Sequence, residues 1–247
     1  MTELTQRLER LFSKLDHTAL LVEQMWADAF FSLESGKEED VENLVQSDAA
    51  IDSREVETER ECIRLLALYQ PAAIDLRRIC FVVKANSDLE RIGDYCVKIA
   101  KRGRKLMKES VSIKSFPAFY KLAEQVGVTY RQTIHLFALL GESNYAEHSE
   151  SEMKIAKSII LADRETDVLF REFFEQTLAV EGMFHGRLNV WYDLVSLGRS
   201  LERIGDLCTS IAEDIIFMFS GEIVRHVFAD TSFTDPQKTE PSVLIDD

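Results

Sequence analysis

The sequence contains little of what interrupts a helix. Among its 247 residues there are only ten glycines and four prolines, and two of those prolines, Pro236 and Pro241, stand close to the carboxyl end. Glycine and proline are the strongest local breakers of regular structure, so this scarcity favours long helices. No segment of useful length alternates polar and apolar residues with period two. The sequence therefore predicts an all-α chain.

Basic residues and long apolar runs are also scarce. The chain has 29 Lys and Arg against 43 Asp and Glu, a formal net charge of −14. Because affinity for nucleic acid depends mainly on Lys and Arg, DNA and RNA are disfavoured as partners, and cations or basic protein surfaces are favoured. No apolar run is long enough to cross a bilayer, and the charged amino terminus does not resemble a signal peptide. We therefore expect a cytoplasmic protein.

The cysteines show no CxxC pair and no spacing typical of zinc sites or disulfide frameworks. In a reduced helical protein each is expected to be a small buried hydrophobe. The four are Cys62, Cys80, Cys96 and Cys208.

Apolar residues recur at steps of three, four or seven, which predicts six long helices. The first ends near Gly36, the second covers about 38–69, and the third has Pro71 in its first turn and continues to about Lys108. The fourth covers 117–140, the fifth follows "GESN" and ends near "VEGMFHG", and the sixth covers about 187–220. This pattern divides the chain into two three-helix units, 1–112 and 113–222, followed by a mobile acidic tail, 223–247.

A sequence repeat supports this division. Residues 88–101, "DLERIGDYCVKIAK", and residues 200–213, "SLERIGDLCTSIAE", are identical at nine of fourteen positions. The copies fall on the third and sixth predicted helices, so the chain is expected to be a duplicated three-helix unit. Each copy has a mid-helix glycine, Gly93 or Gly205, and glycine at such a position usually marks a close approach by another backbone.

Each copy of the repeat also carries two carboxylates four residues apart, Glu90 with Asp94 and Glu202 with Asp206. Residues at i and i+4 share one helix face, so the two side chains repel each other unless a positive charge lies nearby. Further acidic pairs stand on the preceding helices, Glu55 with Glu59 and Asp163 with Asp167, and in an antiparallel bundle they would face the first two pairs. The register of Glu55 and Glu59 is ambiguous within the acid-rich "REVETERE".

Two interpretations of these pairs remain open from the residues alone. Four carboxylates in each half would suit a hard or borderline cation. In a chain this acidic, a single such pair is more often a solvated surface, and the adjacent Arg91 and Arg203 are ordinary partners for it.

Taken together, three motifs resemble the PhoU family of bacterial phosphate-uptake regulators. These are the two copies of "LERIGD", the "QPAAIDLRR" that starts at Gln70, and the "FMFSGEIVRHV" that follows the second copy. The resemblance extends from the first helix to about Val227. It implies two tandem, pseudo-symmetric three-helix bundles.

The resemblance also implies metal clusters, with iron or zinc as the usual ions, held by E/D-x-x-x-D/E motifs. In this sequence the implied ligands are Glu55, Glu59, Glu90 and Asp94 in the first half, and Asp163, Asp167, Glu202 and Asp206 in the second. Glu59 departs from the family pattern, which has Asp there.

The functional implication is an adaptor and not an enzyme. Members of the family repress phosphate-starvation genes and link a phosphate ABC transporter, through its ATPase subunit, to a phosphate-sensing histidine kinase. We expect a homodimer that reaches the membrane only through these partners.

Two alternatives to the adaptor are a carboxylate-bridged di-iron enzyme and a purely structural scaffold. The enzyme is disfavoured because no Glu or Asp is followed by His at i+3, the motif that di-iron bundles use. No GxGxxG or GxxxxGK[ST] phosphate loop occurs either.

Overall fold

The computed structural model describes residues 2–140, 145–184 and 186–224, and these fold into six α-helices without a strand. The predicted all-α class is therefore confirmed. The helices are α1 (Glu3–Ser35), α2 (Glu38–Tyr69), α3 (Ala73–Lys108), α4 (Pro117–Leu140), α5 (Tyr145–Ala179) and α6 (Leu188–Ser220). Single 3₁₀ turns lie at Ile113–Ser115 and Glu181–Phe184. The predicted mobile tail lies, from residue 225 onwards, outside the described residues.

The ends of most helices agree with the breaks that the sequence predicts. Gly36 ends α1 in a left-handed conformation, φ 66°, and its N–H donates to the Ser32 carbonyl at 3.0 Å. Pro117 is the first residue of α4, as predicted, because its missing N–H has no intrahelical acceptor in a first turn.

One predicted boundary is wrong. Pro71 precedes α3, because Gln70 closes α2 in a left-handed conformation, φ 43°, and the chain needs Pro71 and Ala72 to turn into the next helix. The fifth helix ends as predicted, at Ala179 directly before "VEGMFHG", within which Glu181–Phe184 form the separate 3₁₀ turn.

The six helices form two antiparallel three-helix bundles, α1–α3 and α4–α6, which confirms the predicted architecture. The bundles meet mainly where α3 packs against α6, and this is the most extensive helix pair of the molecule. The residue boundaries 112 and 222 of the two units stay predictions.

Polar contacts show that α3 and α6 run antiparallel along what we call the α3–α6 seam. Near one end, Arg77 Nε donates to the Met218 carbonyl at 2.9 Å, and Lys84 pairs with Asp214. Towards the other end, Arg102 Nη1 donates to Ser200 Oγ at 3.1 Å. These contacts fix how the repeated motifs of the two halves face each other.

The second contact between the halves joins α1 to α4. The buried Tyr130 hydroxyl donates to the Ala19 carbonyl at 2.8 Å, and the rings of Phe30 and Phe119 lie 6.0 Å apart. Three of the cysteines, Cys62, Cys96 and Cys208, are buried as predicted, whereas Cys80 is half-buried; all four are free thiols.

Candidate metal site

The register of α2 against α3 decides which carboxylates meet in the first half. Asn86 Nδ2 donates to the Glu55 carbonyl at 2.9 Å, and Asp48 Oδ1 lies 3.6 Å from the position that a Cβ of Gly93 would occupy. Asp48 precedes Glu55 by seven residues on α2, and its neighbour Gly93 follows Asn86 by seven residues on α3. The two contacts therefore define one antiparallel register of α2 against α3. By this register Glu59 lies opposite Val82, about 12 Å along α3 from Glu90.

Five carboxylates gather around the first copy of the repeat. Burial raises the pKa of Glu90, and the charges of four neighbours, Asp94, Asp52, Glu55 and Asp48, raise it further. Glu55 is also affected, since burial, Glu59 and Asp52 raise its pKa. The structure therefore brings Glu55, Glu90 and Asp94 together and leaves Glu59, an exposed residue, at the edge of the group.

In the second half all four of the sequence-derived residues lie within range of one another's charge. Burial first, then Asp167 and Asp206, raises the pKa of Asp163 to about 6. Burial and the charge of Asp206 likewise raise the pKa of Glu202. Thr209 Oγ1 donates to Asp163 Oδ1 at 3.5 Å, which joins α5 to α6 at this level.

Among the described residues, each of the two repeated aspartates pairs directly with one basic side chain. Lys98 Nζ lies 3.0 Å from Asp94 Oδ2, and Arg203 Nη1 lies 2.9 Å from Asp206 Oδ2. Arg91, the other partner that the sequence suggested, pairs instead with Asp88 at 3.4 Å. The two groups therefore keep an excess of negative charge.

The mid-helix glycines are packed against side chains and not, as predicted, against another backbone. A Cβ at Gly205 would lie 3.1 Å from Thr166 Cγ2, while one at Gly93 would have Met25 and Asp48 at 3.5 Å or more. Facing side chains on α1, α2 and α5 fill the space that the missing Cβ leaves.

The residues fit a hard or borderline cation in chemistry but are not already arranged around one. Asp48 Oδ1 is buried without a hydrogen-bond partner, so a carboxylate oxygen with no donor is available in the first group. Carboxylate oxygens are the ligands that such cations prefer, and a bound cation would offset the repulsion between them. Within the described residues, however, no three His, Cys, Asp or Glu side chains are close enough together to hold an ion. Binding would therefore require side-chain rotation.

Sequence reasoning missed Asp48 and Asp52. They have the same i, i+4 spacing as the predicted pairs and stand on the same helix as Glu55, in "SDAAID". That spacing was the available signal, but α2 carries several acidic pairs, and only the packing of α2 against α3 selects among them.

The fold and the repeated acidic motif define a class of tandem three-helix proteins with a carboxylate group in each half. The family model described as "PhoU domain" matches this chain at residues 15–103 and 138–215. The chain belongs to the PhoU family.

Known relatives agree with this assignment over most of their length. A protein of Pseudomonas aeruginosa, named phosphate-specific transport system accessory protein PhoU homolog, is 31% identical over 89% of this chain and 86% of its own. The crystal structure of PhoU from Pseudomonas aeruginosa superposes with a TM-score of 0.75 at 28% identity, covering 88% of this chain and 99% of that one. The phosphate transport system regulatory protein PhoU from Streptococcus pneumoniae shares the fold, with a TM-score of 0.71 at 24% identity over 90% and 99% of the two chains.

No helix of the described residues combines the length and the apolar character needed to cross a bilayer.

Proposed function

We propose that this protein is an accessory regulator of a phosphate transport system in the cytoplasm, acting as an adaptor and not as an enzyme. The observation that carries the proposal is the duplicated carboxylate group on a PhoU-family fold. Relatives at about 30% identity bear the name of phosphate transport accessory proteins, which supports the same role here.

The proposed partners are the ATPase subunit of a phosphate ABC transporter and a phosphate-sensing histidine kinase. By linking them, the protein, as a homodimer, would repress phosphate uptake and phosphate-starvation genes when phosphate is plentiful. A pull-down with each partner at high and at low phosphate tests this link. Retention of both partners at high phosphate is expected, and retention of neither would contradict the adaptor role.

We further propose that each carboxylate group holds iron or zinc, in a cluster of one or more ions. In the first half Asp48, Glu55, Glu90 and Asp94 would supply the oxygens, with Glu59 at the edge. In the second half they come from Asp163, Asp167, Glu202 and Asp206. The bound charge would remove the repulsion between facing carboxylates and so stiffen the middle of each bundle.

Elemental analysis of the purified chain tests the metal assignment. Wild type is compared with an Asp94→Ala, Asp206→Ala double variant, which removes one central ligand from each half. A matched control is Glu38→Ala with Glu42→Ala, an exposed acidic pair with the same spacing at the start of α2. We expect metal in the wild type and in the control, and a loss of most of it in the double variant. Equal metal content in all three proteins would show that the ions bind elsewhere.

A further inference from the structure

The basic residues of this acidic chain are concentrated in one stretch. Residues 98–114, which cover the last turns of α3 and part of its connection to α4, contain seven basic residues and one acidic residue. The chain as a whole carries a net charge of −14. The end of α3 therefore has the opposite charge to the rest of the protein, and such a surface attracts anionic partners.

Only part of this charge is available to a partner. The basic residues that pair with carboxylates are Lys98, Arg102 and Arg104. Lys101 lines a cavity together with Glu38 and Glu42 of α2. Lys105 and Lys108, by contrast, are exposed, and neither forms an ion pair with any of the residues that the structure describes. They stand three residues apart and therefore share one face of α3.

A cavity joins these two lysines to the first turn of α6. Its volume is about 310 Å³, and Asn189 and Val190 form its wall on the α6 side. The two acids that also line it, Glu109 and Asp193, are each paired with an arginine, at 3.3 Å and 3.9 Å. The carboxylates of the cavity therefore do not cancel the charges of the lysines.

Large apolar side chains project beside the lysines. Leu188 and Tyr192 are 67% and 63% exposed, and they lie one turn apart on the same face of α6. Leu188 is adjacent in sequence to Asn189 of the cavity wall, so the apolar and the basic side chains belong to one surface. We call the surface formed by Lys105, Lys108, Leu188 and Tyr192 the basic tip.

We propose that the basic tip docks on the surface of a bilayer that contains anionic phospholipids. The lysines would lie among the lipid phosphates, where each basic residue strengthens binding by roughly fivefold. The leucine and the tyrosine would enter the headgroup region, which favours side chains with an apolar body and a polar end beside purely apolar ones. This contact uses neither a metal ion nor a protein partner, so it goes beyond the adaptor role and does not depend on it.

The composition of the tip favours a lipid surface over an acidic protein. Lysine is a point charge on a flexible stem, and it is depleted in protein–protein interfaces. Because the rest of the chain is acidic, an anionic bilayer repels other approaches and selects this orientation. The carboxylate groups would then stay in solution, since Asp94 lies about 16 Å along α3 from Lys105. A direct contact of this kind would replace the sequence-based expectation that the membrane is reached only through partners.

Flotation of the whole chain with vesicles of phosphatidylglycerol and of phosphatidylcholine tests the proposal. A protein with a net charge of −14 is repelled by phosphatidylglycerol unless a positive surface is turned towards it. We expect binding to phosphatidylglycerol at low salt that exceeds binding to phosphatidylcholine and that weakens as the salt concentration rises. Absence of binding to phosphatidylglycerol at low salt, or equal binding to the two lipids, would overturn the proposal.

Matched lysine variants locate the contact on the protein. Lys105→Ala with Lys108→Ala is expected to lower vesicle binding by about tenfold or more, because each lysine contributes separately. The control is Lys154→Ala with Lys157→Ala, which removes two exposed lysines with the same spacing on α5 and should leave binding unchanged. Equal losses in the two double variants would mean that the total charge, and not the tip, determines binding, and the proposal would be wrong.

A second pair of variants tests the apolar part of the tip. Leu188→Ala with Tyr192→Ala is expected to reduce the binding that remains at high salt, where the lysines are screened. Leu161→Ala with Val168→Ala removes apolar side chains that are 54% and 50% exposed on α5, and it should have no such effect. Circular dichroism checks the folding of both variants. Wild-type binding by the Leu188, Tyr192 variant at every salt concentration would overturn the proposed insertion.

Soluble polyglutamate distinguishes the other class of partner. If the chain binds polyglutamate through Lys105 and Lys108 but does not bind phosphatidylglycerol vesicles, the tip recognises an acidic protein and the lipid proposal is wrong. Pull-downs in detergent separate this result from the adaptor role, because the lysine variant should keep its transport partners when no bilayer is present.

Discussion

Asp48 of α2 lies opposite Gly93 of α3, with its Oδ1 3.6 Å from the position that a Cβ of residue 93 would occupy. This oxygen is buried and has no hydrogen-bond partner. Burial, followed by the charges of Asp94 and Asp52, raises the pKa of the Asp48 carboxyl. A buried carboxylate oxygen without a donor is costly, and a cation beside it would remove that cost.

The first prediction concerns which α2 carboxylate contributes to metal binding in the first half. Asp48→Ala is expected to lower the metal content by roughly the share of one half, because Asp48 faces the repeated motif. Glu59→Ala is expected to change it much less, because Glu59 lies about 12 Å from Glu90 along the helix pair. Elemental analysis of the two variants beside wild type measures the difference.

The same experiment has a clear contrary outcome. Metal lost with Glu59→Ala and retained with Asp48→Ala would mean that α2 shifts along α3 when the ions bind. Thermal stability of each metal-free variant serves as the folding control.

The comparison of Asp48 with Glu59 also shows how far the sequence alone can determine the site. The helices and the duplication could be predicted because their signals are local in the sequence. Glycine and proline are scarce, and apolar residues recur with a period of about 3.6. The partners of Glu90 could not be predicted in this way, because α2 carries several acidic pairs of equal spacing. A tertiary contact, Asn86 with the Glu55 carbonyl, sets which of them faces α3. On α5, Asp163 and Asp167 are the only two acidic residues four positions apart, so the sequence predicts this pair without the ambiguity of α2.

A second prediction follows from the pKa of Asp163, which burial and neighbouring carboxylates raise from 3.8 to about 6. The folded state therefore binds this proton more tightly than the unfolded state. The protonated Asp163 carboxyl thus contributes its full stabilisation of the folded state below about pH 4. This contribution is lost as the pH rises through about 6. At pH 8 the charged form costs roughly 1 kcal/mol after allowance for solvent screening. Asp163→Asn should stabilise metal-free protein by about that amount at pH 8 and give no gain near pH 4.

Urea unfolding of wild type and variant across this pH range measures the effect. Glu165→Gln, an exposed neighbour on α5, is the control and should show no such dependence. A gain of equal size at every pH would mean that the asparagine acts through packing and not through charge.

A third prediction concerns the glycines of α6 and α3. A Cβ at residue 198 would lie 2.3 Å from the fully buried Phe173 ring, so Gly198→Ala should cost about 1–3 kcal/mol of unfolding free energy. At residue 93 the nearest atoms are 3.5 Å away, an ordinary contact, so Gly93→Ala is tolerated and gains helix propensity. Denaturant midpoints of the two variants should move in opposite directions. A loss at Gly93 as large as at Gly198 would mean that Met25 of α1 and Asp48 of α2 pack more closely against residue 93 than these distances give.

The last prediction tests the contact between α1 and α4. Burial raises the pKa of Tyr130 well above its usual value, so its hydroxyl stays protonated and donates to the Ala19 carbonyl at 2.8 Å. Phenylalanine fills the same space without the hydroxyl, so Tyr130→Phe isolates this hydrogen bond and should cost about 1 kcal/mol of unfolding free energy. Tyr192, which is 63% exposed, is the control, and Tyr192→Phe should change stability by no more than a few tenths of that. Since Tyr130 and Ala19 belong to different halves, an equal effect of the two substitutions would mean that the halves do not meet along α1 and α4 in solution.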